Sequence, residues 1–409
     1  MSYLEYDLSL DDEQLELRNA AHEFATGVLR PTGIELDRMA ADEVVAPGSP
    51  LYEVLGQASE LGYTRMSGPL AIGGLELPPL VRHVLSEELA WGNVGLAGVI
   101  FLSPNHADVG LASGSEDAIE EFAKPYYASS DGSMRGCWAI TEPDHGSDTL
   151  SMVSPDMRVE TTAQLVARAD GDDWIIDGQK SAWVSNGPIA THAMLNVQLE
   201  PGAGLERGGV CLLPLDLPGI SRGRPLEKHG VRALPQGELF FDGVRVPKRW
   251  MVITADAYAT YMEAHLTAFN AGVSCMAVGL ARAAYEAALD YTKARVQGGK
   301  PIFQHQSVRV RLFRMFSLVQ AARSLSRGVF VYNMTRLERG EPGRLEHSIA
   351  AKVFCTQAAL EVATLAVQLH GGNGMTKEYP VEMFLRDAAA FTIADGENAL
   401  LSQVGASLL

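Results

Sequence analysis

Cysteine is scarce. The four in 409 residues (Cys137, Cys211, Cys275 and Cys355) stand far apart and form no CxxC pair. That spacing argues against a zinc or iron–sulfur centre and fits a reducing compartment, where buried single thiols are the ordinary state. Basic charge is also short: 33 Lys and Arg face 50 Asp and Glu, a net charge of -17. A field of that sign repels phosphate backbones and anionic lipid, so neither nucleic acid nor a membrane surface is an expected partner. An anionic cofactor remains compatible with it, because a local cationic or helix-terminal pocket outweighs the global charge. Apolar runs such as Ala271–Ala283 are interrupted by Gly, Ser and Arg, and no membrane span is expected. The acidic start, Met1 to Asp7, has neither the basic and apolar regions of a secretory signal nor the basic character of a transit peptide, so a cytoplasmic location is expected. Walker A and GxGxxG patterns are missing, which argues against a dinucleotide held by a βαβ unit.

What is present divides by period. Hydrophobic content of 47% and charged content of 20% are those of a globular chain, and the length calls for two or three domains. Residues 1–133 read as a helical domain: Ser9 with Asp12 suggests an N-cap, and Leu80–Trp91 carries an apolar side opposite charge. Gly68–Gly74 is a loop by composition. Residues 134–248 read as a β domain. Short β-prone runs (Ala163–Ala169, Trp174–Asp177, His192–Leu199, Val210–Leu213, Glu238–Phe241) alternate with Asp-Gly turns, a pattern that suggests a small barrel or sandwich. Residues 249–409 return to helices. Thr267–Arg295, Ser307–Arg339 and Leu345–His370 are apolar on more than one face and end near Gly298-Gly299, Gly340 and Gly371-Gly372. The fold class is therefore mainly α with a central β domain.

Four motifs carry the chemistry. Trp138-Ala-Ile-Thr-Glu-Pro-Asp-His-Gly-Ser-Asp148 runs from a strand into a Gly/Pro loop. Asp177-Gly-Gln-Lys-Ser-Ala-Trp-Val-Ser-Asn-Gly187 ends another strand. Arg295-Val-Gln-Gly-Gly-Lys-Pro-Ile-Phe-Gln-His-Gln306 is followed later by Gln368-Leu-His-Gly-Gly-Asn-Gly374. The last is Glu378-Tyr-Pro-Val-Glu-Met-Phe-Leu-Arg-Asp387 with Ile393-Ala-Asp-Gly-Glu-Asn398. Together they resemble the acyl-CoA dehydrogenase family over essentially the whole chain, with the TEPxxGSD signature as the longest match.

The resemblance implies bound FAD. Trp138, Ile140 and Thr141 would meet the isoalloxazine, Ser147 the junction of cofactor and substrate, and Trp183 and Ser185 the flavin ring. Amides and a hydroxyl at the ring's N–C=O edge stabilise the negative charge of the reduced flavin. Arg295, Gln306, Gln368, Gly371 and Gly372 would hold the ADP half across a subunit boundary, with Arg295 supplying a cationic fork for pyrophosphate. Arg386 and Asp387 read as a structural ion pair or helix-packing pair.

The chain also departs from the family's pattern. One extra residue separates Lys180 from Trp183, which suggests a local bulge, and Gly298 stands where Phe is usual. Asp395 occupies the position of the catalytic Glu, and Glu397 that of a flavin-contacting Thr. The alternative base position on the first long C-terminal helix is Phe269, which has no proton to exchange, and Asn270 replaces an Arg. Asp395 is the candidate base, one methylene or about 1.5 Å shorter than Glu, with Glu397 as its competitor. The function expected is α,β-dehydrogenation of an acyl-CoA or carrier-bound thioester, with an electron-transfer flavoprotein as oxidant and a homotetrameric assembly. The alternatives are a same-fold flavin oxidase or monooxygenase of the nitroalkane-oxidase kind, which uses an aspartate at this place, and a non-catalytic flavoprotein.

Overall fold

The computed structural model of the protein describes residues 10–154 and 161–409. Helices fill the chain up to Ala128, a sheet lies in its middle, and helices return from Ala255. The Ser9 cap lies outside the described residues. The first helix, Asp12–Phe24, is capped by Asp11, whose carboxylate accepts from the Gln14 amide at 2.9 Å while Gln14 reaches back to the Asp11 amide.

The sheet has eight strands: β1 (Gly136–Ala139), β2 (Val166–Asp170), β3 (Asp173–Ser185), β4 (His192–Gln198), β5 (Gly208–Pro214), β6 (Ile220–Arg222), β7 (Gln236–Pro247) and β8 (Met251–Ile253). Their order is β6-β7-β3-β2-β4-β5-β8, with β1 paired to β4. All pairings are antiparallel except β1·β4 and β2·β4. Side chains from β1 to β5, β7 and β8 share one core that includes Cys137, Ala167, Ile176, Leu195, Leu213, Phe241 and Met251. A sheet whose two ends meet in one core is rolled like a barrel. The short strands β6 and β8, with three residues each, lack the periodic run that made the others legible.

Three helices of 40, 33 and 26 residues dominate the last third: Ala255–Ala294, Gln306–Glu338 and Leu345–His370. The first starts twelve residues before the expected Thr267, because Tyr258, Met262 and Leu266 recur every four residues and bury against the sheet. By length and composition, Ala255–Ala294 and Leu345–Met375 suffice to cross a membrane, contrary to the sequence expectation. In this fold 67% and 56% of their most apolar windows pack inside the helical bundle. Gly371, at φ +60°, ends the third helix in a conformation that a side chain would strain. All four cysteines are free and buried.

Helix Pro79–Gly92 ties the N-terminal helices to this bundle through charge. Glu87 accepts from Arg282 Nη1 at 3.0 Å and from both Nε and Nη2 of Arg323. Glu88 accepts from Arg282 at 2.6 and 2.7 Å and pairs with His22 at 2.8 Å. Both carboxylates and both guanidinium groups are buried. Burial pushes Glu87 and Glu88 up, and the arginines more than reverse it, so both stay ionised. Arg386 and Asp387 do not pair with each other. Arg386 forks onto Asp37 at 2.6 and 2.9 Å and onto Glu382, while buried Asp387 accepts from the Val231 amide at 2.6 Å. Each is structural, and both join different parts of the chain.

Breaking the Glu87 network strands two buried arginines. Glu87→Gln should cost about 3–5 kcal/mol of unfolding free energy. Because the folded pKa of Glu87 lies below its unfolded value, its stabilising contribution is complete above pH 4.5 and is lost as pH falls through the folded value. Denaturant unfolding of the variant at pH 7 and pH 4 checks both; a loss below 1 kcal/mol at pH 7 contradicts the assignment.

Candidate active site

The first motif follows β1. Trp138 is buried, donates its indole N–H to Asn196 at 2.9 Å, and lies edge-on to His265 and Phe269 at 4.6 and 4.7 Å. Its ring packs on the long helix and its N–H is spent on β4. Ile140 and Thr141, at the strand's end, are half-buried. Thr141 accepts from the Ser181 hydroxyl at 2.9 Å, and its carbonyl accepts from the Ser181 amide at 2.9 Å, which leaves the Thr141 proton free to donate. Beneath the loop Lys180 and Glu142 form a buried pair at 2.7 Å, and Glu142 also accepts from the amides of Gln164 and Leu165. Both members are in the quoted motifs, yet nothing in their spacing shows that they meet.

The expected bulge is present. Between Lys180 and Val184, β3 advances four residues while β7 advances two, from Leu239 to Gly237. The bulge sets Trp183 outward, and its indole is 60% exposed. Ser185 accepts from Gln236 Nε2 at 2.9 Å. A large uncovered indole beside a free hydroxyl proton suits the face of a flat heterocycle.

The fourth motif comes back to the first. After helix Val381–Phe391 the chain turns, with Asp395 at φ +52° and Gly396 at φ +104°. The Glu397 amide then donates to Ser147 Oγ at 3.0 Å, which joins the TEPxxGSD loop to the Asp-Gly-Glu loop across 250 residues. A Cβ on Gly396 would stand 2.7 Å from Leu150 and 2.8 Å from Leu401, so only glycine fits. Asp395 is half-buried, and no described residue donates a hydrogen bond to its carboxylate. Burial raises its pKa, and Lys352 opposes the rise.

Glu397 is differently placed. Its carboxylate caps helix Asn398–Ser407, accepting from the Ala399 and Leu400 amides at 2.9 and 3.0 Å, and those bonds lower its pKa. A carboxylate so held is a weak proton acceptor. Phe269 packs against Trp138 and His265.

The ADP-side residues form a second group. Arg295, Gln306, Gln368, Gly371 and Gly372 are exposed, and no described residue pairs with the Arg295 guanidinium. Gly298 and Gly299, at φ +64° and +81°, make the two-residue turn of a hairpin that a Phe at 298 would strain. Tyr291 stacks on His370 at 4.0 Å and accepts from Asn373 at 3.0 Å, bringing the third motif and the glycine segment to one end of the bundle. A Cβ at Gly371 or Gly372 would meet nothing, so the backbone there is open to a ligand. At 1.5 Å per residue, Arg295 lies about 39 Å along its helix from Phe269, and His370 about 27 Å from Lys352 under the base loop. Within one chain the two groups stand at opposite ends.

Three domain profiles of the acyl-CoA dehydrogenases match: the N-terminal domain over residues 11–128, the middle domain over 137–244 and the C-terminal domain over 259–409. The chain belongs to the acyl-CoA dehydrogenase family. It is 31% identical to "Probable acyl-CoA dehydrogenase fadE25" of Mycobacterium leprae, covering 97% of this chain and 95% of that one. It is 28% identical to "Caffeyl-CoA reductase-Etf complex subunit CarC" of Acetobacterium woodii, over 92% and 94%. Its fold superposes on butyryl-CoA dehydrogenase from Megasphaera elsdenii with a TM-score of 0.85, at 27% identity over 98% of each chain. As a member of this family it is an FAD-dependent oxidoreductase that dehydrogenates an acyl-CoA, and the exposed Trp183, unpaired Arg295 and open Gly371-Gly372 backbone fit that cofactor.

Glu397 as a cap and Glu397 as a base make different demands. Glu397→Gln should lower the melting temperature, because a charged cap becomes neutral, and leave flavin reduction by substrate at the wild-type order of magnitude. Stopped-flow reduction under anaerobic conditions measures this; a collapse of the rate with FAD retained would make Glu397 the base.

Proposed function

We infer that Asp395 is the base that removes the α-proton of the acyl thioester. The observation that carries the reading is the pairing of environments in one loop. Asp395 is partly desolvated, receives no hydrogen bond from any described residue and has a raised pKa, whereas Glu397 two residues on is consumed as a helix cap. The α-proton is only weakly acidic, so its acceptor must be ionised yet basic, and desolvation gives a carboxylate that character. FAD, when bound, supplies the hydride acceptor for the β-carbon. Thr141, Ser147, Trp183 and Ser185 would hold its ring, and Ser147 ties the Asp395 turn to the TEPxxGSD loop.

The electron acceptor is an electron-transfer flavoprotein, supported by the name of the CarC relative as a subunit of an Etf complex. The assembly is a homotetramer in which Arg295, Gln306 and the Gln368–Gly374 segment hold the ADP half of FAD from a neighbouring subunit. Two features support this: the ADP-side group stands far from the ring-side group of its own chain, and Val310 and Phe313 are left 63% and 68% exposed on helix Gln306–Glu338. A cytoplasmic location accords with four buried cysteines that form no disulfide. The oxidase and non-catalytic alternatives are not favoured by the family match.

Asp395→Asn keeps size and hydrogen bonding but removes the base. Titrated anaerobically with acyl-CoAs that bleach the wild-type flavin, the variant should be reduced roughly 10²–10⁴-fold more slowly at normal FAD content. Reduction at the wild-type rate rules Asp395 out. Arg295→Ala should weaken FAD retention, and sedimentation should find flavin only in the oligomer. A flavin-loaded monomer would overturn the shared site.

A further inference from the structure

Beneath the base loop lies a lysine that the family motifs did not single out. Lys352 is fully buried on helix Leu345–His370. Its ammonium donates to the Gly396 carbonyl at 2.6 Å and to Asn398 Oδ1 at 2.8 Å. Asn398 is itself fixed, donating Nδ2 to Thr356 Oγ1 at 3.0 Å and its amide to the Thr392 carbonyl at 3.1 Å. Both partners of the ammonium are neutral oxygens, and among the described residues it makes no ion pair within 4 Å. A buried charge held only by neutral groups is costly. The buried cations Lys180, Arg282 and Arg323, by contrast, each bond a carboxylate directly.

The charges that act on Lys352 are Asp395 and Glu397, both in the loop it supports. The charge that acts on Asp395 is Lys352, and Glu397 faces Lys352 and the amides it caps. Lys352 thus holds the backbone of the residue after Asp395, and its charge acts on the Asp395 carboxylate one residue away. The turn it holds places Asp395 at φ +52° and Gly396 at φ +104°, a left-handed path that Asp tolerates better than most L-residues but still at some cost.

We propose that Lys352 is a positioning residue for proton abstraction: it anchors the Asp395–Gly396 turn through the Gly396 carbonyl, and its buried charge keeps the Asp395 carboxylate ionised in an apolar site. The proposal rests on Asp395 as base. Burial alone would leave Asp395 protonated, and so unable to accept a proton, at higher pH. The ammonium sets how far that goes. The geometry also explains why the amine tolerates its own burial, which lowers its pKa to about 8.

The test is the pH profile of anaerobic flavin reduction in Lys352→Gln and Lys352→Arg holoenzyme. Gln keeps two N–H donors without charge, and Arg keeps the charge. The acid limb of the profile, which reports ionisation of Asp395, should move up by about one pH unit or more in Lys352→Gln, so that below the limb the rate falls about tenfold or more. Lys352→Arg should restore the limb towards its wild-type position. A slower Lys352→Gln enzyme with an unmoved limb would overturn the proposal, because a purely structural lysine lowers the rate at every pH alike.

A second readout needs no turnover. The folded pKa of Lys352, about 8, lies below its unfolded value of 10.5, so the folded state sheds a proton that the unfolded chain keeps. Wild-type stability should therefore gain on Lys352→Gln as pH rises from 8 to 10.5. A gain that instead sets in well below pH 7 would show that the folded amine is neutral at working pH and would overturn the electrostatic half of the proposal. Asp395→Asn separates the two ideas. If it reduces flavin normally, the base assignment fails; if it is inert while the Lys352→Gln limb stays in place, only the role of Lys352 fails.

Discussion

The buried ion cluster of Glu87, Glu88, Arg282 and Arg323 is the constraint on which the rest of the molecule hangs. Helix Pro79–Gly92 brings two adjacent carboxylates, and helices Ala255–Ala294 and Gln306–Glu338 bring the guanidinium groups. Apolar packing between long helices tolerates sliding by a turn at modest cost, since one Ala- and Leu-rich face resembles the next. A desolvated ion pair does not tolerate it, because displacement by a turn leaves each charge unpaired in low dielectric. The cluster thus sets the register of the long helix against the N-terminal helices. Phe269, thirteen residues before Arg282 on that helix, inherits its position against Trp138 and His265 from that register.

A second set of buried charges does for loops what this one does for helices. Lys180 and Glu142 hold the strand end of the first motif, Arg386 and Asp37 tie the last part of the chain to the first, and Lys352 supports the turn before the final helix. The active-site loops therefore rest on charged groups beneath them. Among the described residues, no hydrogen bond engages the Trp183 indole, the Thr141 proton, the Asp395 carboxylate or the Arg295 guanidinium. Preorganised groups of this kind gain their value when water is excluded around a bound ligand.

The sequence made the three-part architecture legible because period changes with structure. Long runs of Ala and Leu gave the bundle, and Asp-Gly turns between short β-prone runs gave the sheet. The bulge before Trp183 was legible as an extra residue in a motif. What was not legible is contact between distant positions: the bond from Glu397 to Ser147, the placement of Lys352 beneath Gly396, and the separation of Arg386 from Asp387. Neighbours in sequence suggested a pair at 386 and 387, but successive residues on a helix diverge by about 100° and face different partners. Lys352 sits in an alanine-rich helix, where a lone lysine reads as a solvated side chain, and only burial reveals otherwise.

The exchange of glutamate for aspartate at 395 has a physical logic that chain length alone hides. For Asp395 as the proposed base, one methylene fewer means less reach, and misplacement by that distance is expensive in a proton transfer. Yet the residue stands at φ +52°, where a side chain on an L-residue crowds its own backbone and where Asp and Asn are better tolerated than longer residues. With Gly396 also left-handed and locked by Leu150 and Leu401, the loop's path is fixed from both sides by the Ser147 and Lys352 contacts. Reach can then be restored by moving the backbone rather than lengthening the side chain. On the proposed assignment of Asp395 as base, the left-handed turn and the short carboxylate work together, with Lys352 bonded to the Gly396 carbonyl beneath them.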